Sequence, residues 1–225
     1  MNEKQAYQKM TNEVIENNRK KGIRPKLLLH CCCAPCASVP LVDWSNDFDI
    51  AAYYYNPNIY PEKEAVARAE ELKRFVASYP FNNRPKVIIA DYTPEVYFDM
   101  VRGLENEPER GLRCEVCFEL RFTQTAELAK QLHYDYFTTT LSISPYKNAS
   151  LLHQLGLNIQ ERIGVQYLPC DLKKNNGMKR SVELSKEYAL YRQDYCGCVY
   201  SKNEMLERKK RMKIEEGKNE KTDIV

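Results

Sequence analysis

The segment KLLLHCCCAPC, residues 26–36, joins a short apolar run to four closely spaced cysteines. The apolar part, residues 26–30, is typical of a buried strand, and the cysteines follow at its carboxyl end. Open α/β sheets bind their ligands outside the carboxyl ends of their strands. The segment therefore predicts both the first strand of an α/β fold and the position of its functional site.

Strand-like and helix-like patterns alternate along the rest of the chain. Apolar residues recur at helical spacing after Pro61, and a short apolar run follows them. The predicted strands cover 26–30, 47–55, 87–91, 136–141 and 166–168, and the predicted helices cover 1–22, 39–44, 62–79, part of 94–110, 115–133, 151–163, 181–192 and about 201–214. This alternation predicts an α/β fold with a mainly parallel sheet, helices on both faces and a helical C-terminal part.

The length and charge of the chain limit its class. Its 225 residues fit a single α/β domain over 1–225, with a core over about 25–205 and charged N-terminal and C-terminal extensions. No apolar run approaches the ~18 residues that a membrane span requires, and the first residues lack the layout of a secretion signal. We therefore expect a cytoplasmic protein with no membrane partner, in which thiols stay reduced and form no disulfide bonds.

Seven of the nine cysteines fall in three clusters that are far apart in the sequence. The clusters are Cys32, Cys33 and Cys36; Cys114 and Cys117; and Cys196 and Cys198. A structural zinc ion takes four ligands, so seven thiols predict a second metal or a larger cluster. A [4Fe–4S] cluster binds four thiolates, which can come from distant segments. The remaining two, Cys31 and Cys170, are expected to be buried structural residues.

Four motifs together resemble one known family, the cobalamin-independent epoxyqueuosine reductases of the QueH type. The motifs are HCCCAPC (30–36), RCEVC (113–117), TTLSISPYKN (139–148), and the run from GMKRS (177–181) to YRQDYCGC (191–198). The resemblance covers about residues 25–205, which is nearly the whole chain.

The resemblance implies an enzyme of tRNA modification. Its members reduce epoxyqueuosine, at the wobble position of certain tRNAs, to queuosine. The fold is similar to that of the adenine-nucleotide α-hydrolase group, or PP-loop-like folds, with the cysteine loop replacing a phosphate-binding loop. The family carries a [4Fe–4S] cluster and an adjacent mononuclear iron, and uses no cobalamin. The electron donor is not identified by the sequence.

Carried onto this chain, the resemblance assigns the seven clustered thiols to two metal sites. Cys33, Cys114, Cys117 and Cys196 would bind the cluster, and Cys32, Cys36 and Cys198 would bind the single iron and form the catalytic set. We expect Cys32 and Cys33 to serve different metals, because successive side chains diverge in an extended segment. Three thiolates and one open position are typical of a catalytic metal, here one that polarises the epoxide oxygen.

The implied partner is tRNA, through the anticodon loop that carries epoxyqueuosine. Basic residues cluster at 19–26, at 173–180 and at 208–213, where they could contact phosphates. Unstacked RNA bases bind to aromatic rings and to polar groups in loops. The residues that we expect to bind the substrate are Tyr54, Ser144, Tyr146, Lys147 and Arg180.

Three other interpretations of the thiols are open to test. The chain could be a zinc-stabilised nucleic-acid-binding module without catalysis, which would hold zinc and no iron. It could be a thioredoxin-type dithiol protein, although such a site needs no further cysteine clusters. A nucleotide-dependent sulfur transferase is disfavoured, because the cysteine-rich loop occupies the place of a Ser-Gly-Gly phosphate loop after the first strand.

Overall fold

The computed structural model describes residues 3–222, and side chains from Tyr7 to Met212. Its centre is a parallel five-stranded sheet in the order β3-β2-β1-β4-β5. The strands are β1 (Lys26–His30), β2 (Asp49–Tyr54), β3 (Lys86–Ile89), β4 (Tyr136–Thr139) and β5 (Gln166–Tyr167). The parallel sheet and the α/β class are therefore confirmed.

Eight α-helices and one 3₁₀-helix lie in the described part of the chain. They are α1 (Glu3–Lys20), α2 (Ala34–Trp44), α3 (Glu62–Ser78), α4 (Pro94–Met100), α5 (Leu112–Gln131), a 3₁₀-helix (Thr140–Ile143), α6 (Ala149–Ile163), α7 (Gly177–Glu187) and α8 (Val199–Thr222). The helix predicted at 201–214 is thus longer at both ends. Residues 1–2 and 223–225, which belong to the predicted charged extensions, lie outside the described residues. The division into a core and two extensions stays a prediction.

Helices cover both faces of the sheet. Side chains alternate along a strand, so Leu27 and Leu29 point to one face and Leu28 to the other. The first face packs against α2 and α3, and the second packs against α4, α5 and α6. Because both faces are covered, the middle of β1 consists of three successive leucines, Leu27 to Leu29, all fully buried.

The topology creates a crevice beside the first strand. The chain builds β1, β2 and β3 outward in one direction and then returns to place β4 on the other side of β1. The connections after β1 and β4 therefore diverge at this point, which is where open α/β sheets bind their ligands. The cysteine loop follows β1, and the 3₁₀-helix follows β4.

None of the helices over residues 3–222 combines the length and the apolar character that crossing a lipid bilayer requires.

Candidate metal centre

The first cysteine cluster occupies the turn between β1 and α2. The Sγ atoms of Cys32, Cys33 and Cys36 all lie within 4.8 Å of one another, and those of Cys32 and Cys33 are 3.9 Å apart. The expected divergence of Cys32 and Cys33 is therefore wrong. Its premise was an extended segment, but the chain turns here: Cys33 is the N-cap of α2, and Pro35 stands in the first helical turn.

Two polar side chains from neighbouring loops hold this turn in place. The amide of Asn56, in the loop after β2, donates a hydrogen bond of 2.9 Å to the carbonyl of Cys31. The Thr140 hydroxyl accepts a bond of 3.2 Å from the backbone N–H of Cys32 and lies 3.6 Å from the Cys32 sulfur. The crevice between β1 and β4 thus fixes the backbone that carries the thiols.

The second group of thiols comes from two other segments. Cys114 and Cys117 lie one turn apart at the start of α5, and Cys196 and Cys198 lie in the turn before α8. Burial raises the pKa of Cys117 to about 12, and the charges of Cys196, Cys198 and Cys114 add to this rise. The four thiols are therefore within electrostatic range of one another.

The turn that carries Cys196 and Cys198 is anchored to the site by its own backbone. The carbonyl of Gly197 accepts a bond of 2.9 Å from the N–H of Tyr60, and that of Cys196 accepts one of 3.1 Å from Arg68. Gly197 has a φ of 126°, and a Cβ atom there would lie 2.9 Å from Ile59. Only glycine fits this backbone at this distance.

Lys147 and Arg121 each interact electrostatically with thiols of both groups. Burial lowers the pKa of Lys147, but the charges of Cys196, Cys32 and Cys36 outweigh it and raise that pKa overall. The buried Arg121 interacts in the same way with Cys117, Cys196 and Cys32, which raise its pKa against the effect of burial. The two groups of thiols are therefore linked electrostatically through the same two cations.

The neighbours of one thiol in the first cluster favour its deprotonated form. Hydrogen bonds from Cys33 and Cys36 hold the pKa of Cys32 well below its usual range. The same bonding raises the pKa of Cys33 to about 12. A deprotonated thiol is the form that binds soft metal ions.

The sequence reasoning missed three buried arginines around these thiols. Arg68, Arg113 and Arg121 are among the most fully buried side chains. Each has one nitrogen without a hydrogen-bond partner: Nη2 of Arg68, Nε of Arg113 and Nη2 of Arg121. Helical spacing could have identified one of them, because Arg121 lies four residues after Cys117 and so on the same face of α5.

Tyr97 is a further residue of the site that the sequence did not indicate. It is buried at the centre of α4, in contact with the apolar cluster that includes Cys117 and Cys198. Burial and the charges of Cys117 and Cys198 raise the pKa of its hydroxyl. No pattern in residues 94–100 points to this position.

The other two cysteines lie in the hydrophobic core. Cys31 and Cys170 are buried, and burial raises the pKa of both thiols. The sulfur of Cys170 lies 3.4 Å from the Thr138 hydroxyl and 3.6 Å from that of Ser142. Neither residue belongs to the close group of Cys32, Cys33 and Cys36.

The five residues expected to bind the substrate lie in different environments. Tyr146 and Lys147 follow the 3₁₀-helix, and the Ser144 hydroxyl accepts a bond from the Tyr146 N–H at 3.3 Å. Tyr54 is buried in the core, and its hydroxyl donates a bond of 2.9 Å to the Ala65 carbonyl. Its ring therefore offers no free face for a base.

Arg180 lies on the outer side of α7. Its guanidinium makes two bonds of 2.6 Å to Asp43, near the C-terminal end of α2. Cys36 stands seven residues earlier in the same helix, about 10 Å along its axis. Arg180 is thus engaged with a carboxylate and is not among the groups that surround the thiols.

The comparisons with known proteins match the region that contains all of these residues. A family model described as epoxyqueuosine reductase QueH matches residues 27–204. A protein named epoxyqueuosine reductase QueH from Streptococcus pyogenes serotype M1 is 43% identical over 89% of this chain and 79% of its own length. Relatives of the same name from Staphylococcus epidermidis and Histophilus somni are 43% and 38% identical, covering 89% and 94% of this chain and 86% and 91% of their own lengths. Since the matched span includes every clustered cysteine and nearly the whole sheet, this chain belongs to the QueH family of epoxyqueuosine reductases.

Proposed function

We propose that this protein reduces epoxyqueuosine in the anticodon loop of tRNA to queuosine, with a [4Fe–4S] cluster and a mononuclear iron. The observation that carries the proposal is the close group of Cys32, Cys33 and Cys36 after β1, together with Lys147 and Arg121, which interact with these thiols and with thiols of the other two segments. The names of the relatives supply the substrate and the reaction. The thiols could bind the redox centre that this reduction needs, because soft thiolates select iron–sulfur centres.

The spacing of the sulfurs supports two metal sites of different size. In a tetrahedral site with metal–sulfur bonds of about 2.3 Å, neighbouring sulfurs lie about 3.8 Å apart. Cys32 and Cys33 have this spacing, at 3.9 Å. We therefore propose that Cys32, Cys33 and Cys36 bind the single iron.

The other four thiols, Cys114, Cys117, Cys196 and Cys198, are then the ligands of the cluster. Compared with the assignment that the resemblance implied, this proposal exchanges the roles of Cys33 and Cys198. Within the described residues, the close group at Cys32 is the one set of three potential ligand atoms that lie within 4.8 Å of one another. A wider spacing of the remaining thiols suits a cube, whose ligands bind separate iron atoms.

The buried arginines also fit an anionic metal centre. A buried guanidinium that lacks a hydrogen-bond partner is unfavourable unless negative charge lies nearby. Arg68 interacts with the charge of Cys33, and Arg121 with those of Cys117, Cys196 and Cys32. Seven thiolates carry more negative charge than the two metal groups neutralise. Arg121, whose hydrogen-bond partners are not carboxylates, would balance part of the remainder, whereas Arg68 and Arg113 already pair with Glu64 and Glu204.

The reaction removes one oxygen from an epoxide and leaves an alkene and water, so it consumes two electrons and two protons. An iron–sulfur centre supplies electrons, and this chain's own residues provide the surroundings. The ammonium of Lys147, in the loop after the 3₁₀-helix, interacts with the charges of Cys196, Cys32 and Cys36. It can stabilise negative charge that develops on the epoxide oxygen as the C–O bond opens.

The remaining partners follow from the same chemistry. Electrons must come from an external donor, which stays unidentified, and we propose that no cobalamin takes part. A reduced cytoplasm is the compartment in which these thiols would stay available for metal.

Replacing one ligand of the proposed iron site tests the proposal. In Cys36→Ala, we expect most of the visible absorbance of the cluster to remain, while the rate of epoxyqueuosine reduction falls at least about 100-fold. This loss is larger than that expected from removing a residue that only hydrogen-bonds to a metal ligand. The protein is incubated anaerobically with the tRNA and dithionite. Mass spectrometry then measures the loss of one oxygen from the modified base. Cys170→Ala is the matched control, because it removes a buried thiol outside the site.

Normal turnover by Cys36→Ala would contradict the proposed iron site. A zinc-stabilised module is the second candidate, because the spacing of the three close sulfurs also suits zinc. A colourless protein that holds zinc, binds RNA and leaves the epoxide intact would establish that candidate instead.

A further inference from the structure

An exposed arginine and an exposed tyrosine stack on each other next to the thiols. The guanidinium carbon of Arg110 lies 5.0 Å from the ring centroid of Tyr146. Tyr146 is 63% exposed, the largest value among the exposed large hydrophobic residues of the described chain. One face of its ring contacts Arg110, and the other face is open to solvent.

Each partner of this stack is tied to the metal centre by its own segment. The backbone N–H of Arg110 donates a hydrogen bond of 3.3 Å to the sulfur of Cys114. Tyr146 directly precedes Lys147, the cation that interacts with Cys32 and Cys36. The stack therefore bridges the loop before α5, which contacts Cys114, and the loop before α6, which carries Lys147.

The backbone of Arg110 is unusual for a residue with a side chain. Its φ is 78°, in the left-handed region that residues other than glycine rarely adopt. Such outliers concentrate at functional sites, where surrounding contacts hold them.

We propose that Arg110 and Tyr146 form a clamp for one nucleotide of the anticodon loop next to the modified base. The open face of Tyr146 stacks on a nucleobase, and the guanidinium of Arg110 contacts the adjoining phosphate. This inference rests on the proposed function, since it assumes that the substrate is tRNA. It adds a residue, Arg110, that lies outside the four motifs of the family resemblance.

The chemistry of single-stranded RNA favours this occupant. Proteins bind unpaired bases by stacking them on aromatic rings and arginine planes, and contact the backbone with cations. Here both elements stand together on the surface, and a third cation, Lys147, follows in the sequence. A clamp on a neighbouring nucleotide would hold the loop while the modified base lies at the thiols.

The test is the affinity of the metal-loaded protein for an unmodified anticodon stem-loop RNA, measured by fluorescence anisotropy at several salt concentrations. We expect Tyr146→Ala to weaken binding about tenfold at every salt concentration, as loss of one stacked base does. Tyr146→Phe should bind like the wild type, because the ring remains. Arg110→Ala should weaken binding and flatten the logarithmic salt dependence by about 0.7, the share of one phosphate contact on a single strand.

Arg102→Ala is the control for a general loss of positive charge. Arg102 is exposed, pairs with Asp99 and lies in the same loop region, eight residues before Arg110. The inference predicts wild-type affinity and salt dependence for this variant. Iron content, measured on every variant, should be unchanged, since the backbone bond to Cys114 does not depend on either side chain.

Wild-type affinity in both Arg110→Ala and Tyr146→Ala would overturn the clamp. Equal losses in Arg102→Ala and Arg110→Ala would also overturn it, because charge alone would then explain the effect. The proposed function is tested separately, by oxygen loss from epoxyqueuosine at saturating tRNA. Weakened binding without any reduction by the wild type would support the clamp and contradict the reductase proposal.

Discussion

Arg121 shows at the scale of one residue how the protein surrounds its thiols. Its side chain is buried, its Nε donates to the backbone carbonyl of Cys117 at 3.1 Å, and its Nη1 donates to the side-chain oxygen Oδ1 of Asn56 at 3.4 Å. Neither partner is a carboxylate, so its full charge remains to act on the nearby sulfurs. A cation in a buried site interacts strongly with other charges, because little water screens it.

We expect Arg121→Gln to lower the reduction potential of the metal centre. Removing a positive charge disfavours the addition of an electron, and the shift should be on the order of 50 mV. Potentiometric titration followed by electron paramagnetic resonance gives the value. Arg162→Gln is a suitable control, because that arginine is exposed and pairs with Glu119. An unchanged potential in Arg121→Gln would contradict the electrostatic role.

Single residues also show which features of the site the sequence could not predict. The identities of the seven clustered cysteines could be read directly from the sequence. Their geometry could not, because the alternation of side chains applies only until Cys33 begins a helix. Tyr54 illustrates the same difficulty: a tyrosine beside a loop can bind a base or fill the core, and only the packing of α3 on β2 places it in the core.

At the scale of elements, the contact between α6 and β5 sets the position of the loop that carries Tyr146 and Lys147. Gly156 faces the buried ring of Tyr167, and a Cβ atom there would lie 2.5 Å from the ring. The N-terminus of α6 is fixed by Asn148, whose side chain accepts a bond of 3.0 Å from the Ser150 N–H. The helix therefore holds the loop from its first turn.

We expect Gly156→Ala to reduce the free energy of unfolding by about 1–3 kcal/mol, through overpacking. Alanine favours a helix by about 1 kcal/mol over glycine, but the buried ring cannot move away without disturbing its neighbours. Urea denaturation monitored by circular dichroism measures the change. Asn158→Ala, at an exposed position of α6, should stay within about 0.5 kcal/mol of the wild type. A stabilised Gly156→Ala protein would contradict the packing described.

Element types were predictable from periodicity, while several boundaries were not. The pattern predicted α2 over 39–44, but it begins at Ala34, because Pro35 is compatible with a first helical turn. The pattern predicted α7 over 181–192, but it covers Gly177–Glu187. The backbone after Tyr188 turns through Ala189, which has a φ of 48°. A proline in the first turn of a helix and a single left-handed residue after its end do not change the periodicity of apolar residues. The hydrophobic pattern therefore cannot reveal these two boundaries.

At the scale of the whole molecule, the seven clustered thiols come from parts of the chain that are distant in sequence. The loop after β1, helix α5 and the turn before α8 carry the clustered cysteines that we propose as ligands. The alternation of strands and helices predicted the parallel sheet, and the position of the cysteines predicted the edge at which the site lies. The order of the strands, which brings β4 next to β1, did not follow from the pattern.

Removal of metal should loosen the C-terminal turn more than the sheet. The turn is held by few protein bonds, among them those from Tyr60 to Gly197 and from Arg68 to Cys196. We expect faster hydrogen exchange at residues 193–200 in the metal-free protein, with little change in the buried strands β1 and β4. Hydrogen-exchange mass spectrometry of both forms gives the comparison. Equal exchange in the turn with and without metal would show that it contributes no ligand.

Iron and inorganic sulfide analysis of the anaerobically purified protein, combined with Mössbauer spectroscopy, most directly tests whether the seven thiols hold two kinds of iron site. The structure and its chemistry predict about five irons and four sulfides per chain, with one iron in an environment distinct from the others. One or two zinc ions per chain without sulfide, or iron in a single environment, would contradict it.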